Sequence, residues 1–142
     1  VIRVYWDTML FAYMLEAHPE YGPRMREVYG VLARRGARIC TSIFTVGEVL
    51  TYPKKLQDEG RVRMLMRYFE DSGDVEVLPF SMRTAKSYAA IRAVHRVLPA
   101  DAVHLASAAE LEVDMFMTND RKLQGLQVEG IKFITGMDGR LL

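Results

Sequence analysis

PADAVHLASAAELEVDMFMTNDRKL, residues 99–123, is the stretch whose reading decides the fold. Pro99 ends the helix before it, because it cannot supply the N–H that a helix interior needs. Asp101 then falls in the first turn of a new helix that runs to Glu112. Ala102, Ala106, Ser107, Ala108 and Ala109 are small, so this helix can pack closely against a neighbour. Residues 115–118 follow as a short apolar strand, with Asp120 directly after it.

Working outward, the same alternation recurs. Residues 1–6 read as a strand ending at Asp7, and 8–15 as a helix broken by His18, Pro19, Gly22 and Pro23. A second helix covers 25–34 and stops near Gly36. Residues 38–43 make the second strand, and Thr45 opens a helix toward Leu56. Gly60 separates that helix from one over 62–70, and 71–73 form a turn into a third strand at 75–79. Ser81 caps a helix reaching about Val97, and a fifth strand covers 131–135. Strands alternating with helices imply a parallel sheet covered on both faces, with right-handed crossovers. The expected fold class is α/β, a three-layer α/β/α sandwich built as one domain over residues 1–142.

Composition narrows the function. Half of the 142 residues are apolar, enough for a core without metal or disulfide staples. Cys40 is the single cysteine, so no internal disulfide can form, which fits a reducing compartment. The opening VIRVYWDTML is interrupted by Arg3 and Asp7, unlike the apolar core of a signal peptide. No apolar run reaches the roughly 18 residues of a membrane span, so a cytoplasmic protein is expected. The formal net charge is only +1, so nucleic acid would have to be met by a local basic patch.

Four acidic residues share one kind of position. Asp7 ends the first strand, Glu48 lies in the first turn of the helix after the second, Asp101 lies in the first turn of a helix, and Asp120 follows the fourth strand. In an open parallel sheet those positions lie along one edge, where such folds place ligands. Gathered carboxylates repel and raise one another's pKa unless a cation intervenes. An all-oxygen set suits Mg²⁺ or Mn²⁺ rather than zinc. Each residue also has a purely structural reading. Asp7 and Asp120 could cap the helix or turn that follows them, and Asp101 could complement a helix dipole. Thr45-Val46-Gly47-Glu48 has the form of a capping box. The common edge favours a shared acidic site over four unrelated caps.

With those residues in view, the chain resembles the PIN domain, particularly the VapC-type toxins of bacterial and archaeal toxin–antitoxin pairs. The resemblance spans nearly the whole chain and rests on VYWDTML (4–10), SIFTVGEVL (42–50), PADAVHLASAAEL (99–111) and VDMFMTNDRKL (113–123). The last two segments are the most specific: Asp101 and Asp120 lie nineteen residues apart, and Thr118-Asn119-Asp120 closes the strand. The resemblance implies a sheet order of 3-2-1-4-5 and a metal-dependent ribonuclease. It also implies a homodimer and, for a toxin, a cognate antitoxin. Asp7 and Asp101 would be principal ligands of Mg²⁺ or Mn²⁺, and Asp120 would bind directly or through water. Glu48 would orient a water or hold a second ion. Thr118 would hydrogen-bond into the cluster, and Asn119 would touch it or the RNA.

Other features weigh less. His104 shares a helix face with Asp101 and could serve as a ligand or proton shuttle, but a partly buried histidine beside the site is the commoner case. Lys54 and Lys55, and Arg121 and Lys122, are placed to meet a phosphate backbone, although charge runs are more often plain solvated surface. Arg34, Arg35 and Arg38 form a further basic cluster. Met64, Met66, Tyr68 and Phe69 give one helix apolar residues on more than one face, as expected of a partly buried or partner-facing element. A phosphotransferase using an Asp nucleophile on a similar fold would want a second acid two residues on, and Asp7-Thr8-Met9 lacks it. There is no Gly-rich phosphate loop or dinucleotide fingerprint. The alternatives that remain are a PIN-fold binding module with weak catalysis and a housekeeping PIN nuclease.

Overall fold

A computed structural model describes residues 1–138. The elements run in chain order β1 (Arg3–Trp6), α1 (Thr8–Leu15), α2 (Tyr21–Arg34), β2 (Arg38–Ser42), α3 (Ile43–Lys55), α4 (Glu59–Asp71), β3 (Val75–Leu78), α5 (Met82–Val94), α6 (Pro99–Glu110), β4 (Met115–Met117), α7 (Arg121–Gln124) and β5 (Phe133–Thr135). The sheet is parallel throughout and ordered β3-β2-β1-β4-β5, the order the family resemblance implies. Among the described residues, no helix is long and apolar enough to cross a membrane.

The sheet has two dry faces because its strands alternate between two sets of apolar partners. Val4, Trp6, Ile39, Met115 and Met117 join the core packed by α1–α4, with Leu10, Phe11, Met25, Leu32, Leu65 and Phe69. Tyr5, Cys40 and Phe116, one residue out of step, join the other core with Ile91 of α5 and Leu105 of α6. Val4, Tyr5 and Trp6 are therefore all fully buried, as a central parallel strand requires. Burial of each such side chain contributes about 1.5–3 kcal/mol. The small face of α6 lies against this second core, where Ala102, Ala106 and Ala108 are fully enclosed.

Several boundaries move for identifiable reasons. α2 begins at Tyr21 rather than at 25, so Gly22 and Pro23 sit inside it. Pro23 is tolerated there because first-turn N–H groups have no intrahelical acceptor. His18 Nδ1 takes up two of the donors, accepting from the Glu20 and Tyr21 amides at 3.2 and 3.0 Å. Gly36, at φ +69°, closes α2 in the left-handed conformation: its amide reaches Ala33 O and the Ala37 amide reaches Leu32 O. β5 starts at Phe133, two residues later than expected, after Gly130 (φ +93°) has brought the chain against α6. A Cβ on Gly130 would lie 2.5 Å from the Ala109 carbonyl oxygen, so only glycine permits this approach. On α4, Phe69 belongs to the core and Met64 faces outward, with Met66 and Tyr68 half-buried.

Cys40 sits at the centre of β2 and is fully buried, its Sγ directed at the Val4 carbonyl oxygen at 3.7 Å. Burial, and secondarily the charge of Glu76, push its thiol up to about 12. The thiolate is the reactive form. Native protein at pH 8 is therefore expected to leave Cys40 unlabelled by iodoacetamide or Ellman's reagent, whereas denatured protein labels fully. Stoichiometric labelling of native protein within minutes would contradict the packing described.

Candidate active site

Every strand points its C-terminal end to the same edge of the sheet, and the order places β1 and β4 side by side where the chain changes direction of winding. That is the crevice in which open α/β sheets bind ligands. Asp7 leaves β1 there and Asp120 leaves β4. The Asp7 amide still reaches Met117 O at 3.4 Å, prolonging the ladder by a step.

Asp7 occupies the N-cap position of α1, but its side chain makes no capping bond. Oδ2 instead accepts the Thr118 hydroxyl at 2.5 Å. The same Thr118 oxygen accepts the Asp120 amide at 3.0 Å, so one fully buried hydroxyl ties together the ends of β1 and β4. Asp7 Oδ1 is sealed from solvent and has no hydrogen-bond partner. Burial raises the Asp7 pKa above the usual carboxylate range; the Thr118 bond opposes this and the nearby Asp101 charge adds to it. Asp101, in the first turn of α6, is also raised, first by burial and then by the charges of Asp120 and Glu48. Asp101 is therefore within electrostatic reach of the other three acids.

Glu48 arrives differently from the sequence expectation. Helix α3 begins at Ile43, with Ser42 as the N-cap accepting the Phe44 amide at 3.0 Å. The Thr45–Glu48 capping box is therefore corrected. Ser42, the last extended residue of β2, supplies the capping hydroxyl, so the helix starts before Thr45, which is buried. Its Oγ1 accepts from Thr41 Oγ1 at 2.7 Å. Glu48 stands in the second turn of α3, exposed, and its Oε1 accepts the Thr8 hydroxyl and faces His104 Nε2 at 3.3 Å. The His104 hydrogen bond is the main reason its pKa lies below the ordinary glutamate value.

The remaining candidates spread out. Asp120 Oδ1 caps α7 through the Lys122 amide at 2.9 Å. Asn119 turns its amide to the Tyr13 hydroxyl at 3.1 Å. Lys122 lies near enough to Asp101 to lower its pKa, opposing the acids, and Arg121 beside it is exposed. Lys54 pairs with Glu59 at 3.2 Å near the far end of α3, and Lys55 is exposed beside it. Sequence reasoning missed Thr8 and Tyr5, which reach this edge only through pairing across the sheet and between helices.

The donor set can be tested against a divalent cation. Among the described residues, no three acidic or imidazole groups converge tightly enough to cage an ion by themselves. Mg²⁺ does not need such a cage, because it keeps several waters and takes one or two carboxylates. A dry, unpartnered carboxylate oxygen on Asp7, within electrostatic reach of a second carboxyl whose ionisation burial and its acidic neighbours oppose, fits that mode of binding.

Comparison with known proteins gives the same family. The family model described as PIN domain matches residues 4–128. Solved structures align over nearly the full chain. One is described as VapBC2 from Rickettsia felis bound to a DNA fragment from their promoter: TM-score 0.74, 15% identity, 95% of this chain and 98% of that one. Another is DNA-bound VapBC from Salmonella typhimurium: TM-score 0.73, 22% identity, 96% and 99% covered. A third is a toxin–antitoxin complex from Klebsiella pneumoniae: TM-score 0.63, 20% identity, 90% and 94% covered. At these identities the likeness is one of fold. No curated protein sequence matches the chain. With the family model covering all but the ends of the chain, this protein belongs to the PIN domain family.

Proposed function

We propose that the chain is a divalent-metal-dependent endoribonuclease, the toxin partner of a toxin–antitoxin pair, using Asp7, Glu48, Asp101 and Asp120. The observation that carries this reading is the buried, unpartnered Oδ1 of Asp7 at the β1/β4 crevice, where burial raises its pKa and the Asp101 charge adds to it. An oxygen sealed from water and left without a donor is costly unless something binds it. Asp7 and Asp101 would hold Mg²⁺ or Mn²⁺, with Asp120 reaching it directly or through water. When bound, such an ion would polarise the phosphodiester and neutralise developing charge.

The chain's own residues supply the rest. Glu48, held ionised, accepts a hydrogen bond from the attacking water and orients it. Thr118 fixes the Asp7 carboxylate, and its bond to the Asp120 amide holds the second strand end in register with the first. Lys122 and Arg121 are placed to meet phosphate on the β4 side of the crevice, with Asn119 beside them. Lys54 and Lys55 are a more distant basic pair. Such contacts position RNA without reading its sequence.

The fold of the Rickettsia and Salmonella structures, both described as VapBC, supports a cognate antitoxin as partner. Exposed Tyr52 on α3, Leu56 just after it and Met64 on α4 leave apolar surface for protein contact, with a homodimer as the second assembly. The location that accords with this role is the cytoplasm.

Cleavage of a mixed RNA pool tests the reading. Purified protein should cut RNA with Mg²⁺ or Mn²⁺ and not with excess EDTA. Asp7→Asn or Asp101→Asn should lower the rate roughly 100-fold or more, as when several kcal/mol of transition-state stabilisation is lost. Unchanged rates in both variants would place the chemistry elsewhere. No cleavage by folded parent protein on any pool would favour a binding module.

A second test reads stability alone. Because the folded-state pKa of Asp7 is raised, its protonated form is the better-tolerated one. The stability this represents is complete below the unfolded Asp value of about 4 and is lost as pH rises through the folded value. In EDTA at neutral pH, Asp7→Asn should therefore melt above the parent, by roughly 3 °C for each kcal/mol relieved. The difference should shrink toward pH 4. Mg²⁺ should raise the parent's Tm and leave that of the variant unchanged. A variant that melts below the parent at neutral pH in EDTA would contradict the cost assigned to that carboxylate.

A further inference from the structure

Two buried side chains stand behind the acidic rim without belonging to it. Tyr5 lies in β1 and is fully enclosed, and His104 on α6 is 4% exposed. Their polar atoms meet at 2.8 Å, Tyr5 Oη against His104 Nδ1. The Tyr5 oxygen also accepts the backbone N–H of Ser42, the residue that caps α3, at 3.0 Å. A phenol has one proton. The ionised Glu48 carboxylate facing Nε2 can only accept, so in the neutral ring the phenol's own proton goes to Nδ1 while its oxygen accepts the Ser42 amide. Nδ1 therefore accepts, and the neutral ring carries its N–H on Nε2.

Nε2 faces two oxygens, Glu48 Oε1 at 3.3 Å and Thr8 Oγ1 at 3.2 Å. The Thr8 hydroxyl donates to that same Oε1. Phe44, beside the Ser42 cap, sets its ring edge-on to the imidazole at 5.6 Å between centroids. The chain of bonds thus starts at a backbone amide, passes through two buried rings, and ends on an exposed carboxylate. A histidine that only satisfied the core would not need that last link. The arrangement also rules against His104 as a metal ligand, since Nδ1 is spent on Tyr5 and a protonated Nε2 has no lone pair to give.

We propose that His104 is a positioning residue: fixed by Tyr5 with its proton on Nε2, it and Thr8 grip Glu48 through Oε1 and leave Oε2 for the reaction. This rests on the reading of Glu48 as the residue that orients water in RNA hydrolysis. Partners of this kind typically alter activity about 10- to 100-fold when removed.

The test is a double-mutant cycle read in kcat and KM for RNA cleavage, paired with a spectrum that needs no RNA. His104→Leu should lower kcat about 10- to 100-fold with KM little changed. His104→Gln, which keeps an N–H donor, should recover part of that loss, and Tyr5→Phe, which loses only a hydroxyl, should lower kcat as well. In the Glu48→Gln background the same changes should cost almost nothing further, because the group they act through is gone. Equal losses in both backgrounds would overturn the proposal. Independently, a long-range ¹H–¹⁵N correlation spectrum of metal-free protein should show His104 protonated at Nε2. Tyr5→Phe should mix the tautomers, and Glu48→Gln should shift the Nε2 resonance. A proton on Nδ1 in the parent, or an Nε2 signal blind to Glu48→Gln, would overturn it whatever the activity. A parent that cleaves no RNA would refute the nuclease reading, and the spectrum alone would then decide whether His104 holds Glu48. If His104→Leu fails to fold, Tyr5→Phe carries the cycle.

Discussion

Thr118 sits fully buried where β4 ends, giving its proton to Asp7 Oδ2 and receiving the Asp120 amide on the same oxygen. That single hydroxyl sets the spacing of the crevice. It holds a carboxylate at the end of β1 away from the capping role its position invites, and it turns the chain after β4 so that Asp120 caps α7. α6 then delivers Asp101 to the rim, anchored by alanines packed against the second core. α3 delivers Glu48 from the other side. The two apolar layers make these placements rigid, since β1 is enclosed on both faces and cannot shift without opening both cores.

The acidic rim works against stability. Asp7 keeps one oxygen dry and unbonded, and Asp101 is disfavoured as an anion by burial and then by its acidic neighbours. Glu48 is the exception, an acid whose pKa is lowered by a histidine and a threonine donor. One crevice therefore holds two kinds of carboxylate, two resisting ionisation and one held in it. Under the proposed function, the first kind would await a cation and the second would handle water.

Much of the fold was legible because β1, β2 and β4 are apolar runs with helical segments between them. Helix α1 was readable to its boundaries, whereas α2 and α4 began early. Pro23 reads as a breaker in sequence but is harmless in a first turn. Helix α7 is only four residues long and too short to show a period. Asp7, Asp101 and Asp120 were readable as candidates because each follows a strand or opens a helix. Glu48 was readable as an acid near a helix start, but its turn was misplaced because Ser42 takes the cap. The links from Tyr5 to His104 and from Thr8 to Glu48 were not readable. They join residues 99 and 40 positions apart, and only the packing of α1, α3 and α6 on the sheet brings them together.

The central claim is that the β1/β4 crevice is a cation site. The most direct measurement is an anomalous difference map from crystals of the protein soaked in Mn²⁺. The account predicts a peak within bonding distance of the Asp7 and Asp101 carboxylates, absent in Asp101→Asn crystals. A parent crystal with no peak at the crevice, or with Mn²⁺ bound only elsewhere, would contradict it.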